Sequence, residues 1–294
     1  MIRRQTLSAA AELSGKGLFT SRPARLRLVP AAAGHGLRFS RTDLAGAPPI
    51  PAHVRHLAPD PALPGRNTTL RFDPSRPAGA QNPSVATVEH VLSALAGLAI
   101  TDAMIEVDGP EIPIFDGSAS VYVQTVLAAG RTPLDAAIEP IRVTDEIRVK
   151  DKRGALYGEI VAAPRGIPGM SVEYTLDYGP AATIPRQHVS FAVMPDDYVH
   201  HIAPARTFCL EEEARAMRSM GLFADLSPRD MLVLDAHGRA IDNTLRFPDE
   251  PARHKALDVI GDLALAGRPI FGAIRAERCG HALNHALARA LSEL

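Results

Sequence analysis

The sequence predicts an α+β protein of two related domains, each a β-sheet layer packed on helices. Two segments, 24–41 and 156–178, contain alternating apolar residues interrupted by glycines, which is the pattern of a β-hairpin. After a long interval, each is followed by an amphipathic helix that carries polar residues, at 87–98 and 252–266. The length of 294 residues is also typical of two domains.

The predicted division lies near 131–140, where Arg131-Thr132-Pro133 and Glu139-Pro140 interrupt the apolar pattern. It gives an N-terminal domain of residues 1–133 and a C-terminal domain of residues 134–294. The similarity between the two halves is faint at the level of residues, so it indicates related architecture and does not demonstrate a duplication.

Composition excludes several classes of function. A formal net charge of -1 gives no general attraction for polyanions, so nucleic acid is not the expected partner. No apolar run reaches the roughly 18 residues that span a bilayer, so no transmembrane segment is predicted. Two cysteines provide neither a disulfide framework nor a CxxC pair, which is typical of a reducing compartment. We therefore expect a cytoplasmic protein.

The helix predicted at 87–98 presents a histidine away from its own core. Its apolar positions follow the i, i+3, i+4, i+7 spacing and are Val88, Val91, Leu92 and Leu95. His90 projects almost opposite this stripe, and Glu89 lies on its flank. The small residues on that side of the helix are Ser93, Ala94 and Gly97. Another element is therefore expected to approach closely.

The helix predicted at 252–266 has a second set of polar residues opposite its core. His254, Asp258 and Asp262 are separated by four residues each and therefore share one face. Gly267 is expected to end this helix, because glycine adopts the left-handed conformation of a helix C-terminus at little cost.

Each of these features has an ordinary structural explanation as well. A histidine and an aspartate on a polar helix face are usually just solvated. However, Leu265 shares the face with Asp258 and Asp262, which indicates cover rather than open water. The two carboxylates also repel each other on an exposed helix unless a cation or metal offsets the repulsion. Glu89 is ambiguous alone, since the helix dipole favours a glutamate in a first turn.

Together these residues are the parts of a metal-assisted hydrolase. The potential ligands are His90, His254 and Asp258. Glu89 is a carboxylate beside the first of them, and His281 directly precedes a helix predicted at 282–294. Adjacent His200 and His201 would point to opposite faces of a strand, so we interpret them as structural or surface residues. The histidines predicted in loops or at the surface are His35, His53, His56, His188, His237 and His285.

Several uncommon strings occur in one order over essentially the whole chain. They are Gly17-Leu18, Arg41-Thr42-Asp43-Leu44, Thr87-Val88-Glu89-His90, Glu111-Ile112-Pro113-Ile114 with Asp116-Gly117-Ser118, Ala205-Arg206-Thr207-Phe208, Arg253-His254-Lys255 with Leu257-Asp258 and Gly261-Asp262-Leu263, and Gly280-His281-Ala282-Leu283-Asn284. In these residues the chain resembles the UDP-3-O-acyl-N-acetylglucosamine deacetylases, which carry out the committed step of lipid A biosynthesis in Gram-negative bacteria.

The resemblance implies a catalytic zinc, or ferrous iron in its place, held by the three potential ligands, His90, His254 and Asp258. Glu89 would be the general base and His281 the general acid, with Asp262 orienting His281. Thr207 would stabilise the developing oxyanion. Zinc with three protein ligands keeps an open position and lowers the pKa of a bound water to about 7.

The resemblance also implies how a small-molecule substrate is bound. Lys255 and Arg278 would face the nucleotide diphosphate, and Tyr178 would pack against the uridine. The active site would lie in the cleft between the two domains, and an insert at about 207–233 would form an apolar passage for the acyl chain. Residues expected to line this region are Leu18, Phe208, Leu210, Met217 and Phe223. Leucine and methionine at such spacing are more often ordinary core.

The chain departs from the family pattern mainly near that insert. Phe19 stands where a histidine is usual, and Cys209 stands where a glycine is common. Asp225-Leu226 replaces a Gly-Gly pair, and Ser227-Pro228-Arg229-Asp230 lacks the expected asparagine. These changes bear on the preferred acyl chain and leave the proposed ligands intact.

The expected activity is zinc-dependent hydrolysis of the N-acetyl group of UDP-3-O-acyl-N-acetylglucosamine, by a monomer. One alternative is a metal amidohydrolase for another acylated sugar nucleotide, given the altered insert. The other alternative is a non-catalytic module that binds an acylated sugar nucleotide, against which the intact Glu89 and His281 argue.

Overall fold

The computed structural model describes residues 1–58, 66–153, 156–224, 226–228 and 230–294. Asp225 and Arg229, which depart from the family pattern, lie outside the described residues. The strands are β1 (Ile2–Leu7), β2 (Ala11–Lys16), β3 (Pro23–Pro30), β4 (Leu37–Arg41), β5 (Ile50–Pro51), β6 (Leu70–Arg71), β7 (Ser84–Val85), β8 (Ala103–Val107), β9 (Arg131–Ile138), β10 (Ile141–Arg142), β11 (Ile147–Arg153), β12 (Leu156–Ala163), β13 (Met170–Leu176), β14 (Gln187–Ala192), β15 (Phe208–Leu210), β16 (Leu232–Leu234) and β17 (Ile270–Glu277). The α-helices are α1 (Glu89–Gly97), α2 (Ser120–Ala129), α3 (Pro195–Asp197), α4 (Glu211–Ser219), α5 (Glu250–Leu263) and α6 (His281–Ser292).

Two sheets in the structure share one topology. The first has the strand order β2-β3-β8-β4-β5, and the second has the order β11-β12-β17-β13-β14, with β10 beside β17. In both sheets the pairings along this order are antiparallel, antiparallel, parallel and antiparallel. Helices pack against both sheets. The predicted α+β class, with two related halves, is therefore confirmed.

The two predicted hairpins are wrong in their pairing. Each alternating segment does form two strands, β3 with β4 and β12 with β13, but a later strand lies between them. That strand is β8 in the first sheet and β17 in the second. Alternation shows which residues face the core and does not show which strand is the neighbour. A short loop can pass over one intervening strand because neighbouring strands are only about 4.8 Å apart.

The helices that carry the predicted polar residues occupy equivalent positions in the two halves. α1 precedes the central strand β8, and α5 precedes the central strand β17. Both helices agree with their predicted limits to within a few residues, and a 3₁₀ turn at Ala264–Ala266 continues α5. Gly267 ends that turn with φ 85°, as predicted. Among the described residues, no helix has both the length and the apolar character needed to cross a membrane.

The predicted interruption at 131–140 is instead largely β-strand. β9 covers most of it and pairs with β1 in a two-stranded sheet, in which Pro133 lies opposite Gln5. A proline is tolerated in such an edge strand because its missing N–H need not face a partner. The division at 133/134 stays a prediction, and residue 133 lies inside β9.

The described residues between 207 and 233 form a short two-stranded sheet and a helix, and they contribute to a second apolar cluster. β15 and β16 pair in parallel, and α4 follows β15 directly. The buried members of this cluster, which we call the insert cluster, are Leu18, Phe19, Ile114, Cys209, Ala214, Met217, Phe223, Met231 and Val233. The insert cluster is separate from the main core, which extends through both sheets and through α1, α5 and α6.

α1 and α5 pack directly against each other at a glycine. A Cβ at Gly261 would overlap the main-chain carbonyl of Glu89, so only glycine permits this approach. Gly97, at the other end of α1, likewise accommodates the ring of Tyr198. The small residues of α1 thus do admit a neighbouring element, as the sequence predicts.

We expect Gly261→Ala to destabilise the protein, although alanine favours a helix over glycine by roughly 1 kcal/mol. The added methyl group must push α1 and α5 apart, and such overpacking typically costs about 1–3 kcal/mol. Urea unfolding of the purified variant measures the change. Gly166→Ala is the control, because apart from its two chain neighbours no described residue has an atom within 4 Å of a Cβ there. A Gly261→Ala protein as stable as that control would show that the contact is not restrictive.

Candidate metal centre and active site

Three donor groups meet between α1 and α5. His90 comes from the first turn of α1, and His254 and Asp258 come from successive turns of α5. One ligand-capable atom of each lies within 4.8 Å of the others, and all three residues are buried. The imidazole centroids of His90 and His254 are 5.0 Å apart. The structure therefore brings together the three residues predicted as ligands.

The hydrogen bonds around these three residues do not satisfy every buried polar atom. His254 Nδ1 lies 3.1 Å from the Ala205 carbonyl oxygen, to which its N–H donates, and His254 Nε2 lies 3.3 Å from Asp258 Oδ1. His90 Nε2 lies 3.9 Å from the same oxygen. Among the described residues, neither Asp258 Oδ1 nor His90 Nδ1 has a hydrogen-bond partner. Buried polar atoms rarely lack partners, and an imidazole nitrogen and a carboxylate oxygen are the atom types that fit a metal ion such as zinc.

The electrostatics of the site favour the ligand forms of all three side chains. Burial lowers the pKa of His90 to about 3 and also lowers the pKa of His254, so both imidazoles are neutral. Burial alone would raise the pKa of Asp258, but the ammonium group of Lys255 opposes that effect most strongly, and the pKa lies well below its usual range. Lys255 Nζ donates to Asp258 Oδ2 over 2.8 Å. A cation binds such a set without displacing protons.

A second cluster lies one turn further along α5. Asp262 Oδ2 accepts hydrogen bonds from His281 Nδ1 (2.8 Å) and Asn284 Nδ2 (2.9 Å). Asp262 Oδ1 accepts one from the hydroxyl of Thr68 (2.6 Å), and His285 Nε2 lies 2.8 Å from that hydroxyl. Both oxygens of Asp262 are therefore satisfied, in contrast to Asp258. This contrast favours the first cluster over the second as the metal position.

The pKa values around Asp262 suit proton transfer. Burial by itself lowers the pKa of His281, but the charge and hydrogen bond of Asp262 outweigh it and raise the pKa to about 9. Burial would raise the pKa of Asp262, yet His281 and His285 hold it far below its usual range. Burial raises the pKa of Glu89 to about 8. A cation bound at the adjacent ligands would lower the pKa of Glu89 again.

Contacts from outside the helix fix the start of α1 and the orientation of Glu89. Thr87, just before α1, has φ 60°, and its hydroxyl donates to Glu111 over 3.0 Å. The Val88 N–H donates to the Thr68 carbonyl oxygen, and the Thr68 N–H donates to Glu89 Oε2 over 3.1 Å. The first turn of α1 is thus held on both sides.

The segment after Ala205 runs beside His254. The Phe208 ring meets the His254 ring edge-on at 6.4 Å, and Lys255 Nζ lies 5.7 Å from the Phe208 ring centroid. Thr207 lies between these contacts in sequence, and its N–H donates to the Gly117 carbonyl oxygen over 2.8 Å. The predicted oxyanion residue therefore belongs to a segment anchored at the site.

The residues predicted to bind the nucleotide are already paired. Arg278 forms an ion pair with Asp177 and lies 3.1 Å from Glu277. Tyr178 follows Asp177 and is 51% exposed. Burial lowers the pKa of Lys255, but Asp258 and Tyr178 outweigh it and raise the pKa. Lys255 and Tyr178 are thus close enough to interact, whereas a nucleotide role for any of these residues stays a prediction.

The predicted acyl-chain residues divide into two groups. Leu18, Met217 and Phe223 are buried in the insert cluster. Phe208 and Leu210 pack instead on the margin of the main core. Phe19, which replaces the usual histidine, lies with its ring centroid 5.6 Å from that of Phe223. The replacement therefore extends the insert cluster.

The sequence prediction missed Thr68 and Asn284, and it was wrong about His285. His285 is buried beside Asp262 and is not a surface residue. Its spacing of four residues from His281 on one helix was the available signal. Nothing in the sequence near Thr68 indicates its role, because a loop brings it to the site. His200 and His201 are both exposed, as predicted, but they lie in a π-helical turn at Tyr198–Ile202 and the predicted strand is wrong.

The fold and the site together define a class of hydrolase, in which a buried set of metal-ligand residues lies beside a carboxylate and an imidazole. A family model described as UDP-3-O-acyl N-acetylglycosamine deacetylase matches residues 4–293. The chain belongs to this family, and it is accordingly a deacetylase, a hydrolytic enzyme that acts on an amide.

Individual relatives agree with the family assignment. The chain is 38% identical over 286 residues to the UDP-3-O-acyl-N-acetylglucosamine deacetylase of Anaeromyxobacter dehalogenans, covering 97% of this chain and 86% of that protein. It is 38% identical to the protein of the same name from Mannheimia succiniciproducens (99% and 90% covered). It is 37% identical to that from Actinobacillus succinogenes (100% and 91% covered).

We expect Asp262→Asn to lower the pKa of His281 from about 9. Losing the carboxylate removes the main interaction that favours the imidazolium, while burial still opposes it. In the unmodified protein the charged form of His281 stabilises the fold fully below its ordinary pKa of 6.5, and this stabilisation disappears as pH rises through about 9. NMR titration of the metal-free protein measures the pKa of His281 directly.

The control for this titration is Asp235→Asn, a carboxylate paired with Arg239 at the surface. We expect it to leave the pKa of His281 unchanged. An Asp262→Asn protein in which His281 keeps its raised pKa would show that another group holds the proton there.

Proposed function

We propose that the chain is a zinc-dependent deacetylase that removes the N-acetyl group of UDP-3-O-acyl-N-acetylglucosamine and releases acetate, with ferrous iron as the alternative metal. The observation that carries the proposal is the buried set His90, His254 and Asp258 beside Glu89 and His281. Within the part of the chain that the structure describes, His90 Nδ1 and Asp258 Oδ1 have no hydrogen-bond partner. Family membership supports the substrate. The proposed setting is the cytoplasm of a Gram-negative bacterium, where a monomer acts in lipid A biosynthesis.

Two neutral imidazoles and one carboxylate fit zinc, which prefers nitrogen and oxygen donors in catalytic sites. A zinc ion held by these residues would supply Lewis acidity and a source of hydroxide near neutral pH. The Ala205 carbonyl oxygen would keep His254 in the correct tautomer, and Lys255 would keep Asp258 ionised. In the proposed arrangement the site lies in a cleft between domains 1–133 and 134–294.

Glu89 would accept the proton of the attacking water. Its Oε2 is held by the Thr68 N–H, which leaves the other oxygen to receive a proton. Its burial excludes solvent, so the carboxylate is a stronger base here than in water. Glu89 lies next to a ligand in sequence without belonging to the ligand set, so it remains available for this role.

His281 would protonate the leaving amine. Its Nδ1–H is committed to Asp262, so Nε2 is the nitrogen that can give up a proton. α6 begins at His281, and the dipole of that helix disfavours a cation there. Asp262 offsets this effect and keeps the imidazolium at neutral pH. Thr207 would donate its hydroxyl to the developing oxyanion, a contact typically worth ~3 kcal/mol.

The two ends of the substrate would bind on different sides of this centre. Lys255 and Arg278 would donate charge-assisted hydrogen bonds to the diphosphate, in competition with their present partners Asp258 and Asp177. Tyr178 would stack on the uridine. The acyl chain would lie against the insert cluster, where Phe208 and Leu210 would complete the passage.

We expect Glu89→Gln to retain one equivalent of metal and to lose about 10²–10⁴-fold in kcat, because it removes the base and leaves the ligands. We expect His254→Ala to lose the metal, because two ligands hold an ion poorly. Elemental analysis and acetate release measure the two effects. His237→Ala, at an exposed position, is the control for both. Full zinc occupancy with unchanged activity in His254→Ala would remove His254 from the ligand set.

We expect Phe223→Ala to shift the acyl preference toward longer chains, because it opens the ring pair with Phe19. The measurement is acetate release from substrates with 3-O-acyl chains of increasing length, and from one with none. Phe271→Ala is the control, since Phe271 lies on β17 in the other half and its ring packs under Arg142. Equal rates with and without the acyl group in the parent enzyme would favour another acylated sugar nucleotide as substrate.

A further inference from the structure

Thr68 connects the two groups to which the proposed function assigns proton transfer. Its main-chain N–H donates to Glu89 Oε2 over 3.1 Å. Its hydroxyl donates to Asp262 Oδ1 over 2.6 Å, and Asp262 in turn holds His281. Thr68 is fully buried, so water does not compete for these hydrogen bonds.

His285 determines the direction of the Thr68 hydroxyl. A threonine hydroxyl has one proton and two lone pairs. The proton of Thr68 is given to Asp262, so the 2.8 Å contact with His285 requires that His285 Nε2–H donates to Thr68 Oγ1. A direct bond from His285 to Asp262 would span 3.4 Å and is weaker by geometry.

Thr68 also joins the two halves of the fold. Its carbonyl oxygen accepts from the Val88 N–H at the start of α1 (3.2 Å). Its hydroxyl reaches α5 through Asp262 and α6 through His285. One residue from a loop of the first half therefore touches all three helices that carry the site.

We propose that Thr68 is a positioning residue for both Glu89 and the Asp262–His281 pair, and that His285 orients its hydroxyl for this purpose. His285 Nε2–H donates to Thr68 Oγ1, and the Thr68 hydroxyl donates to Asp262 Oδ1. No proton is transferred between these groups. The inference rests on the proposed function, because Glu89 and His281 take their roles from it. Its structural part, the two hydrogen bonds from His285 to Thr68 and from Thr68 to Asp262, is independent of turnover.

The test compares Thr68→Val with Thr68→Ser in the metal-loaded enzyme. Valine keeps the shape and the N–H but removes the hydroxyl, and serine keeps the hydroxyl. We expect Thr68→Val to lose about 10–100-fold in kcat, with KM and metal content unchanged, as for other residues that orient a site. We expect the kcat of Thr68→Ser to lie within about threefold of that of the parent enzyme, because serine keeps the hydroxyl.

His285→Leu tests the second part through a double-mutant cycle. If His285 acts through the Thr68 hydroxyl, the leucine variant loses activity in the parent background and loses nothing more in the Thr68→Val background. Urea unfolding confirms that each variant is folded. Additive losses would overturn the role given to His285.

Nitrogen-15 NMR of histidine side chains in the metal-free protein gives a readout without activity. In the parent protein we expect the His285 Nε2–H to be protected from exchange with water. Thr68→Val should lose this protection, and Thr68→Ser should retain it. Thr68→Val with kcat within threefold of the parent, or Thr68→Ser as impaired as Thr68→Val, would overturn the inference. A parent enzyme that releases no acetate contradicts the proposed function instead, while the NMR comparison still decides the hydrogen bonds.

Discussion

The close contact of α1 with α5 is the constraint on which the site depends. Gly261 lies on the same face of α5 as Asp258, and the missing side chain lets the main chain of Glu89 rest there. This contact brings the imidazoles of His90 and His254 to 5.0 Å. Because α1 and α5 occupy equivalent places in two sheets of the same topology, the donor set is assembled across the two halves and exists in neither alone.

Two carboxylates one turn apart on α5 are kept distinct by their partners. Asp258 is neutralised on one side by Lys255 and keeps a buried oxygen without a partner among the described residues. Asp262 is saturated by His281, Asn284 and Thr68. The repulsion between the two charges is thus offset by protein cations before any metal is considered. One carboxylate is left suited to bind an ion, and the other is suited to hold an imidazolium.

Much of the fold and the site could be predicted from local pattern. Helical periodicity depends only on residues a few positions apart, and it predicts the approximate limits of α1 and α5 and the shared face of His254 and Asp258. The glycine at 267 predicts the end of the 3₁₀ turn that continues α5. The function needed more than periodicity. A histidine opposite an apolar stripe is usually solvated, and only the ordered strings of the family distinguished His90 from that case.

The sequence by itself determined the apolar faces of α1 and α5 and indicated the side chains His90, His254, Asp258 and Glu89 as carriers of the chemistry. Only the tertiary structure decided that β8 and β17 separate the strands of each alternating segment, that β9 continues through residue 133, and that His285 is buried. The physical reason is the range of the interactions. Periodicity reports burial along one element, whereas strand order and the meeting of Thr68 with Asp262 depend on how closely distant backbones can approach.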